Sequence, residues 1–329
     1  MHYQNAMSAA VREALRCPVC KSRIECVDER YRCVDPRCGG NFPKVNGIPV
    51  LINERSSVFR IADLIHPRNT NPGLKRKVID IADRLLPSLT VNVSSEKNYE
   101  KFAKCLLNSS STPIVLVIGG QILGKGMEAL AANRAIELVE TDVAFGPLTT
   151  LICDAHDLPF KPNFFDGVIA QAVLEHVVDP YRATDEIHRV LKAGGFVYAE
   201  VPFMQQVHAG AYDFTRFTHL GLRRLFRKFE EVASGVVPGP GTALSWSLSY
   251  FLLSFTEAKL ARAMIHSVSR LLFSPLKYFD YYLNDKAGAI DAASGCYFLG
   301  KRATKVLPDH ELLRLYKGLV GRGVRGGSA

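Results

Sequence analysis

The stretch LICDAHDLPFKPNFFDGVIAQAVLEHVVDPYRATDEIHRVLKAGGFVYAEVPF, residues 151–203, decides the fold of this chain. It predicts three strands joined by a turn, a loop and a helix, with a polar residue at the end of each strand. These residues are Asp154, Gln171 and Glu200. Because ligands of open α/β sheets lie outside the carboxyl ends of the strands, we expect the three side chains to face one crevice. The layout is typical of a cofactor site.

Strand patterns on both sides extend this unit to a doubly wound parallel sheet of seven strands. Upstream, the apolar runs at residues 114–118 and 136–140 predict two strands. Downstream, residues 230–237 and 293–302 predict two more, which are expected to pair as a hairpin. The residues between them, 238–292, are then a helical insertion.

The N-terminal residues 1–53 are interpreted as a separate small domain built around four cysteines. Cys17 and Cys20 are followed, after twelve residues, by Cys33 and Cys38. Two cysteine pairs at that separation supply four thiolates for a tetrahedral zinc ion. Because a segment of this size rarely folds unaided, we expect the zinc to be structural and to take no part in catalysis.

The rest of the chain divides into three parts. Residues 54–110 show helical spacing broken by prolines and are interpreted as a helical bridge, 111–305 as the α/β domain, and 306–329 as a tail. The start has no apolar signal-peptide segment, so we expect a cytoplasmic protein, which the basic insertion could bring to the inner face of a membrane. A net charge of +9 favours anionic partners, such as nucleic acid, an anionic membrane face or a phosphate-bearing substrate.

Several motifs together resemble the class I S-adenosylmethionine-dependent methyltransferases, in particular the type-11-like group. The most specific is the heptapeptide DAHDLPF at 154–160, and the helix and turn at 174–195, LEHVVDPYRATDEIHRVLKAGG, agree with it. The resemblance implies a Rossmann-like sheet that ends in a hairpin and binds S-adenosylmethionine. The cysteine-rich module resembles the zinc ribbons of the activator subunit of tRNA and protein methyltransferases.

The resemblance also implies a set of cofactor contacts. Asp142 takes the position of the carboxylate that binds the ribose hydroxyls, with Glu140 as its nearest competitor. Val117 stands where the family commonly has Asp or Glu, so a carboxylate that often orients the methionine amino group is missing. Asp154 and Ala155 resemble the pair of residues that contacts the adenine in the family. The predicted cofactor contacts lie in the glycine turn and after the second, third and fourth strands of the α/β domain: Gly119, Gly120, Gln121, Gly124, Asp142, Asp154, Ala155 and Gln171.

The loop that follows Pro202 is where methyl acceptors enter in that family. His208 is the candidate base, because a hydroxyl acceptor has to lose its proton during in-line methyl transfer. Asp213 is predicted to orient His208 or the acceptor, and Arg216 to hold a carboxylate or phosphate. The alternative is that Asp213 and Arg216 only lock the loop. His176 is interpreted as scaffold.

Three functions stay open at this point. The first is O-methylation of a glycan or lipid-linked intermediate, because residues 210–226 resemble methyltransferases of polysaccharide assembly and residues 243–283 have the apolar and basic character of membrane-surface or homodimer helices. The second is methylation of ribosomal or transfer RNA, since a zinc ribbon ahead of a basic methyltransferase resembles the ribosomal RNA guanine methyltransferases. The third is an inactive methyltransferase fold that serves as a scaffold, suggested by Val117.

Overall fold

The computed structural model describes residues 7–65 and 86–319. Part of the predicted helical bridge and the end of the predicted tail therefore lie outside the described residues. The strands are β1 (Ile24–Val27), β2 (Arg30–Cys33), β3 (Asn41–Val45), β4 (Ile48–Leu51), β5 (Ile114–Ile118), β6 (Glu137–Asp142), β7 (Leu151–Cys153), β8 (Phe165–Gln171), β9 (Leu191–Pro202), β10 (Phe229–Val236) and β11 (Gly295–Arg302). The helices are α1 (Ala9–Ala14), α2 (Ile61–Ile65), α3 (Ser95–Ser109), α4 (Glu128–Ala132), α5 (Pro180–Val190), α6 (His219–Leu225), α7 (Pro240–Leu253), α8 (Lys259–Phe273), α9 (Asp280–Leu283), α10 (Ala287–Ala292) and α11 (Asp309–Leu312).

The α/β part is the doubly wound sheet that the sequence predicts. Its strand order is β7-β6-β5-β8-β9-β11-β10, and all pairings are parallel except the two that β11 makes. The chain runs from β5 outward to β7 and then returns to β8 on the other side of β5. This reversal creates a switch point at the carboxyl ends of β5 and β8, which is where ligands bind in such sheets.

Strand β9 begins at Leu191, four residues before the predicted start at 195. A register shift between Phe165 and Gly167 in the neighbouring strand accommodates the glycine pair. Gly194 has φ of +74°, a left-handed conformation that only glycine adopts easily. The sequence pattern suggested a turn at these glycines, whereas the structure carries them within the strand as an irregularity.

Helices cover both faces of the sheet, as expected for buried parallel strands. On one face, α3 packs through Tyr99, Phe102 and Leu106 against the strand residues Val115 and Val117. These helix residues are three or four positions apart and so form one apolar stripe. The stripe fixes the start of α3 next to the switch point.

On the other face, α5 begins at Pro180, the last residue of the motif VVDP. The Asp179 carboxylate accepts a hydrogen bond from the backbone N–H of Arg182 at 3.1 Å, and Pro180 occupies the first turn, where its missing N–H costs nothing. Ile187 and Val190 of this helix are buried against the sheet. The helix therefore starts close to the carboxyl end of β8.

The cysteine-rich module extends the same sheet. Its strands β1 to β4 form an antiparallel meander, and β4 then pairs in parallel with β7, Val50 beside Ile152 and Leu51 beside Cys153. This pairing covers the edge of β7, whose backbone groups would otherwise be open. The module that the sequence predicts as separate is therefore joined to the α/β sheet by backbone hydrogen bonds.

The insertion between β10 and β11 consists of α7 to α10. Asp280, fully buried, accepts hydrogen bonds from the backbone N–H groups of Gly241 and Thr242 at 2.7 and 3.1 Å. These are groups of the first turn of α7, which have no partner within the helix itself. The carboxylate of α9 thus caps α7 and holds the two ends of the insertion together.

Candidate functional site

The glycine turn after β5 lies at the switch point and packs closely on two polar side chains. Gly119 has φ of +77°, in the left-handed region. A Cβ atom on Gly120 would lie 2.1 Å from Oε2 of Glu140, and one on Gly124 would lie 2.0 Å from Oε1 of Gln171. A side chain at either position would therefore displace Glu140 or Gln171 from its place at the turn.

Two carboxylates follow each other at the end of β6, and the structure gives them different tasks. Asp142 accepts hydrogen bonds from the backbone N–H groups of Gln121 and Ala144 at 3.1 and 2.9 Å, and so holds the glycine turn. Glu140 is only 5% exposed, and within the described part of the chain its Oε1 atom has no hydrogen-bond partner. Burial raises the pKa of Glu140 to about 8.

Glu140 lies next to Val117, the β5 position where the resemblance leads us to expect an acidic residue. The parallel register sets Val117 directly beside Glu140. Val117 itself is buried in the apolar layer under α3. A carboxylate therefore does lie in this layer next to the glycine turn, although it comes from the neighbouring strand.

At the ends of β8 and β9, Gln171 and Glu200 meet, as expected for residues facing one crevice. Gln171 Nε2 donates to Glu200 at 2.9 Å, and the hydroxyls of Ser95 and Tyr198 donate to the same carboxylate. Burial raises the pKa of Glu200. Among residues 7–65 and 86–319, Gln171 Oε1 has no hydrogen-bond partner. The network fixes Gln171 and leaves one of its polar atoms unpaired.

Asp154 is surrounded by protein groups. Its carboxylate accepts from Ser57 Oγ at 2.5 Å and from the ring and backbone nitrogens of His156 at 2.6 and 2.9 Å. Burial alone would raise the pKa of Asp154, but these hydrogen bonds outweigh it and lower the pKa. Ala155 is buried in the 3-10 turn that follows. Through Ser57, Asp154 connects the segment after the ribbon to the end of β7. Its predicted contact with the adenine stays a prediction.

We call residues 203–218, between β9 and α6, the acceptor loop, after the role that the sequence predicts for them. In this loop Asp213 and Arg216 form a two-pronged ion pair, with Arg216 NH2 2.7 Å from Oδ2 of Asp213. The same guanidinium also donates to the backbone carbonyls of Gln205 and Gln206 at 2.8 and 3.0 Å. These contacts engage each of its nitrogen atoms. The predicted role of Arg216 in holding a carboxylate or phosphate is therefore not supported, because the loop itself uses this side chain.

Asp213 also holds His208, but through the backbone. Its carboxylate accepts from the backbone N–H of His208 at 2.9 Å, whereas the ring atom Nδ1 lies 3.5 Å away, beyond a normal hydrogen bond. Arg216 lowers the pKa of Asp213 strongly. Asp213 is thus an ionised residue that positions the loop around His208.

The structure brings His208 next to two residues that sequence patterns did not connect with it. His208 Nε2 lies 3.2 Å from His176 Nε2, and both lie near the carboxylate of Glu175, at 4.0 and 3.7 Å. Burial raises the pKa of Glu175 to about 8. We call these three residues the histidine–glutamate cluster. The interpretation of His176 as scaffold did not include this contact with His208. The signal that could have suggested it is the pair Glu175-His176, four residues after the end of β8, whose carboxyl end faces the crevice.

The four predicted zinc ligands converge in the ribbon. The sulfur atoms of Cys17 and Cys38 are 3.6 Å apart and those of Cys20 and Cys33 are 3.4 Å apart. A tetrahedral zinc ion with Zn–S bonds of 2.3 Å requires sulfur separations of about 3.8 Å, so the donor set fits a structural zinc ion. The spacing of the cysteines was sufficient to predict this cluster.

Residues 120–199 match the family described as "Methyltransferase domain". The chain is 37% identical over 117 residues to the ubiquinone/menaquinone biosynthesis C-methyltransferase UbiE of Coxiella burnetii, covering 34% of this chain and 46% of that protein. It is 34% identical over 83 residues to the human mitochondrial arginine-hydroxylase NDUFAF5, covering 25% and 23%. The chain thus spans less than half the length of these relatives.

Among solved structures, a similar chain is phosphoethanolamine N-methyltransferase 2 of Haemonchus contortus in complex with phosphomonomethylethanolamine and S-adenosylhomocysteine. The TM-score is 0.39 at 16% identity, covering 62% of this chain and 53% of that one. The family match itself begins in the glycine turn and ends within β9, so it contains the switch point described above. The chain therefore contains a Rossmann-like methyltransferase domain, extended by a four-cysteine ribbon and a helical insertion.

Proposed function

We propose that this protein is an S-adenosylmethionine-dependent methyltransferase that acts on a glycan or lipid-linked acceptor at oxygen. The cofactor part rests on the methyltransferase-domain match and on the crevice at the switch point. The acceptor part rests on one observation, an exposed apolar surface on the insertion, which is itself hydrogen-bonded to the acceptor loop.

The residues of the crevice fit the cofactor. Buried polar atoms without a partner are rare in folded proteins, and a ligand that supplies hydrogen bonds is a common reason for them. Within the described residues, Glu140 Oε1 and Gln171 Oε1 are two such atoms, and the side chains of both residues lie against glycines of the turn. We propose that Glu140 accepts hydrogen bonds from the ribose hydroxyls, while Gly119 and Gly120 let the backbone approach the ligand.

When bound, S-adenosylmethionine supplies a methyl group on a positively charged sulfur, which an acceptor attacks in line. The protein has to position the acceptor and, for a hydroxyl, remove its proton. His208 remains the proposed acceptor-side residue, because its ring lies in the loop where acceptors enter and is about one-third exposed. Asp213 holds its backbone in place.

The apolar surface is built mainly by α8, which carries its apolar side outward. The buried residues of this helix are Ser269 and Arg270, the reverse of an ordinary surface helix. Its exposed apolar residues recur three or four positions apart, and the end of α7 and the turn after it each add one phenylalanine. The apolar surface comprises Phe251, Phe255, Leu260, Met264, Val268, Leu271 and Leu272.

A contiguous exposed apolar surface of this kind marks a binding site for a membrane or another protein. Lys259 and Arg262 are exposed on the same helix, a combination that favours an anionic lipid surface. Within the described parts of the chain no helix is long and apolar enough to cross a bilayer. We therefore propose peripheral contact with the inner face of a membrane.

The insertion is also connected to the acceptor loop. Gln206 Nε2 donates to Ser247 Oγ at 3.1 Å, and Tyr250 OH donates to the carbonyl oxygen of Val207 at 3.1 Å. These contacts tie α7 to the two residues before His208. A lipid-linked acceptor held at the apolar surface would therefore have its head group close to the acceptor loop.

Two measurements test the proposal. Calorimetry with S-adenosylmethionine tests the cofactor site, and absence of binding at millimolar ligand would leave only the inactive scaffold. Flotation with phosphatidylglycerol vesicles tests the surface: Leu260→Ser with Met264→Ser should reduce the bound fraction several-fold. Leu313→Ser, an equally exposed leucine outside the insertion, is the matched control. Equal binding of all three proteins would contradict the membrane contact.

The acceptor atom is decided by the product. Methyl transfer from labelled cofactor to a polyprenyl-linked sugar, followed by mass spectrometry of the product, should place the methyl group on oxygen. A methyl group on carbon would favour the chemistry in the name of the UbiE relatives. Salt-dependent binding and methylation of ribosomal RNA would instead support the RNA alternative.

A further inference from the structure

We propose that the histidine–glutamate cluster is a second metal site, which binds one divalent transition-metal ion through His176, His208 and Glu175. It lies between the end of β8 and the acceptor loop, away from the four cysteines of the ribbon. Imidazole nitrogens with one carboxylate are a donor set that suits zinc and related ions. The cluster is one of two groups with metal-ligand geometry within residues 7–65 and 86–319.

The distances suit an ion. The two Nε2 atoms are 3.2 Å apart, and Oε1 of Glu175 lies 3.7 Å from His176 and 4.0 Å from His208. A point equidistant from the three atoms lies about 2.1 Å from each of them, which matches Zn–N and Zn–O bond lengths in proteins. The side chains therefore need no large movement to coordinate an ion.

The hydrogen bonds on the far side of each ring point the lone pairs inward. His176 Nδ1 lies 2.9 Å from the carbonyl oxygen of Tyr212, which can only accept, so Nδ1 carries the proton. His208 Nδ1 lies 3.4 Å from the carbonyl oxygen of Gln206, its nearest acceptor, and the negative charge of Asp213 lies on the same side. With the proton on Nδ1 in both rings, the two Nε2 lone pairs face each other. A cation between them removes this repulsion, and metal-binding histidines are commonly held by such outer contacts.

Glu175 adds an independent observation. Its side chain is only 1% exposed, and within the described residues its Oε2 atom has no hydrogen-bond partner. A buried carboxylate is costly unless its charge is compensated, and a metal ion bound at Oε1, the oxygen nearest the two histidines, would compensate the charge of the group. The backbone carbonyl of Glu175 accepts from Phe214 and Thr215, so the acceptor loop is built directly on this residue.

The two metal sites differ in access. The ribbon offers four thiolates, the closed shell of a structural zinc site, whereas the cluster offers three ligands and is open on the side of the histidines, whose side chains are 26% and 36% exposed. Three protein ligands with an open position are typical of ions that bind substrate. Resting on the proposed function, we infer that the ion would bind the acceptor hydroxyl and favour release of its proton to solvent water, so that the oxygen can bond to the methyl carbon as the carbon–sulfur bond of the cofactor breaks; His208 would then be a metal ligand in place of a base.

Zinc binding to the full-length protein tests the site directly. Protein with zinc in the ribbon is dialysed against EDTA to empty the solvent-open cluster, transferred to chelator-free buffer and titrated with ZnCl₂ by calorimetry. Metal content is measured before and after by mass spectrometry. We expect one ion per chain beforehand and a second ion bound with micromolar or tighter affinity. His176→Asn and His208→Asn should each weaken the second ion at least tenfold and leave the first in place.

The matched control is His310→Asn. His310 is an exposed histidine whose Nε2 lies 3.9 Å from a glutamate oxygen, but it belongs to no cluster of three ligands in the described chain. The His310→Asn variant should bind the second ion as the wild type does. If the wild type holds only the ribbon ion, or if all three variants bind zinc alike, the site does not exist.

Failure of the site and failure of the proposed function are distinguishable. A protein that binds the second ion but no S-adenosylmethionine keeps the metal site and loses the methyltransferase activity proposed above. A protein that binds S-adenosylmethionine but no second ion loses the metal site alone. Co²⁺ provides a further check, since its visible absorption in the cluster should lack the sulfur charge-transfer band that substitution into the ribbon would give.

Discussion

Glu140→Gln should remove a pH dependence from the stability of this protein. Burial raises the pKa of Glu140 from 4.5 to about 8, so the folded state keeps a proton at neutral pH that the unfolded state has lost. The folded state then binds more protons, and its stability falls as the pH rises toward 8. Between pH 6 and pH 8 the free energy of unfolding should fall by about 2 kcal/mol because of this group, at 1.4 kcal/mol per pH unit. Glutamine stays neutral and keeps the shape of the side chain.

The assay is urea unfolding of wild type and variant at pH 6 and pH 8 with constant zinc. The quantity compared is the change in free energy of unfolding between the two pH values, so any constant cost of the amide cancels. Glu230→Gln, at an exposed glutamate of β10, is the matched control and should follow the wild type within about 0.5 kcal/mol.

The decisive result is how much free energy of unfolding each protein loses between pH 6 and pH 8. If Glu140→Gln loses as much stability between pH 6 and pH 8 as the wild type does, Glu140 is already ionised in the folded state at pH 6. The carboxylate would then have water or another partner at Oε1, and the argument that this atom is reserved for a ligand would be wrong.

Three further predictions address the turn, the ribbon and the acceptor loop. Gly120→Ala should weaken S-adenosylmethionine binding at least tenfold in calorimetry, because its Cβ would lie 2.1 Å from Glu140 Oε2, whereas Gly288→Ala should bind normally. Cys17→Ser should lose the ribbon zinc and melt at a lower temperature, because the binding energy of the zinc contributes to folding. Cys26→Ser, the control, should keep its zinc, and equal zinc contents in the two variants would contradict the ligand assignment. Arg216→Met should lower the free energy of unfolding by about 2 kcal/mol, because it leaves the buried Asp213 carboxylate without its ion pair. Arg37→Met, which breaks an exposed ion pair, should lower it by less than about 0.5 kcal/mol. A smaller loss for Arg216→Met than for Arg37→Met would refute this account of the loop.

Much of the fold could be predicted because the relevant signals are local. The apolar run of β5 at 114–118 is reproduced to the residue, and the hairpin of β10 and β11 lies where the patterns placed it. The cysteine spacing was likewise sufficient to bring four sulfurs together. These features depend on neighbouring residues, periodicity and turn chemistry, all of which a sequence displays directly.

Side-chain roles at the site required the tertiary structure. The sequence contained both Glu140 and Asp142, but only the strand register and the backbone contacts show that Glu140 lies beside Val117 while Asp142, at the end of the strand, holds the glycine turn. Asp154 matched the adenine motif, yet Ser57 from the segment after the ribbon occupies its carboxylate.

The sequence by itself determined a methyltransferase-type sheet and a four-cysteine ribbon, and it predicted the loop after β9 as the acceptor region. Only the tertiary structure decided that His208 meets His176 and Glu175, because these residues are about thirty positions apart and belong to a strand end and a loop that packing alone brings together. The same holds for β4, which completes the edge of β7 through backbone hydrogen bonds between residues about one hundred positions apart. Contacts of this kind depend on the path of the whole chain, and no local pattern encodes them.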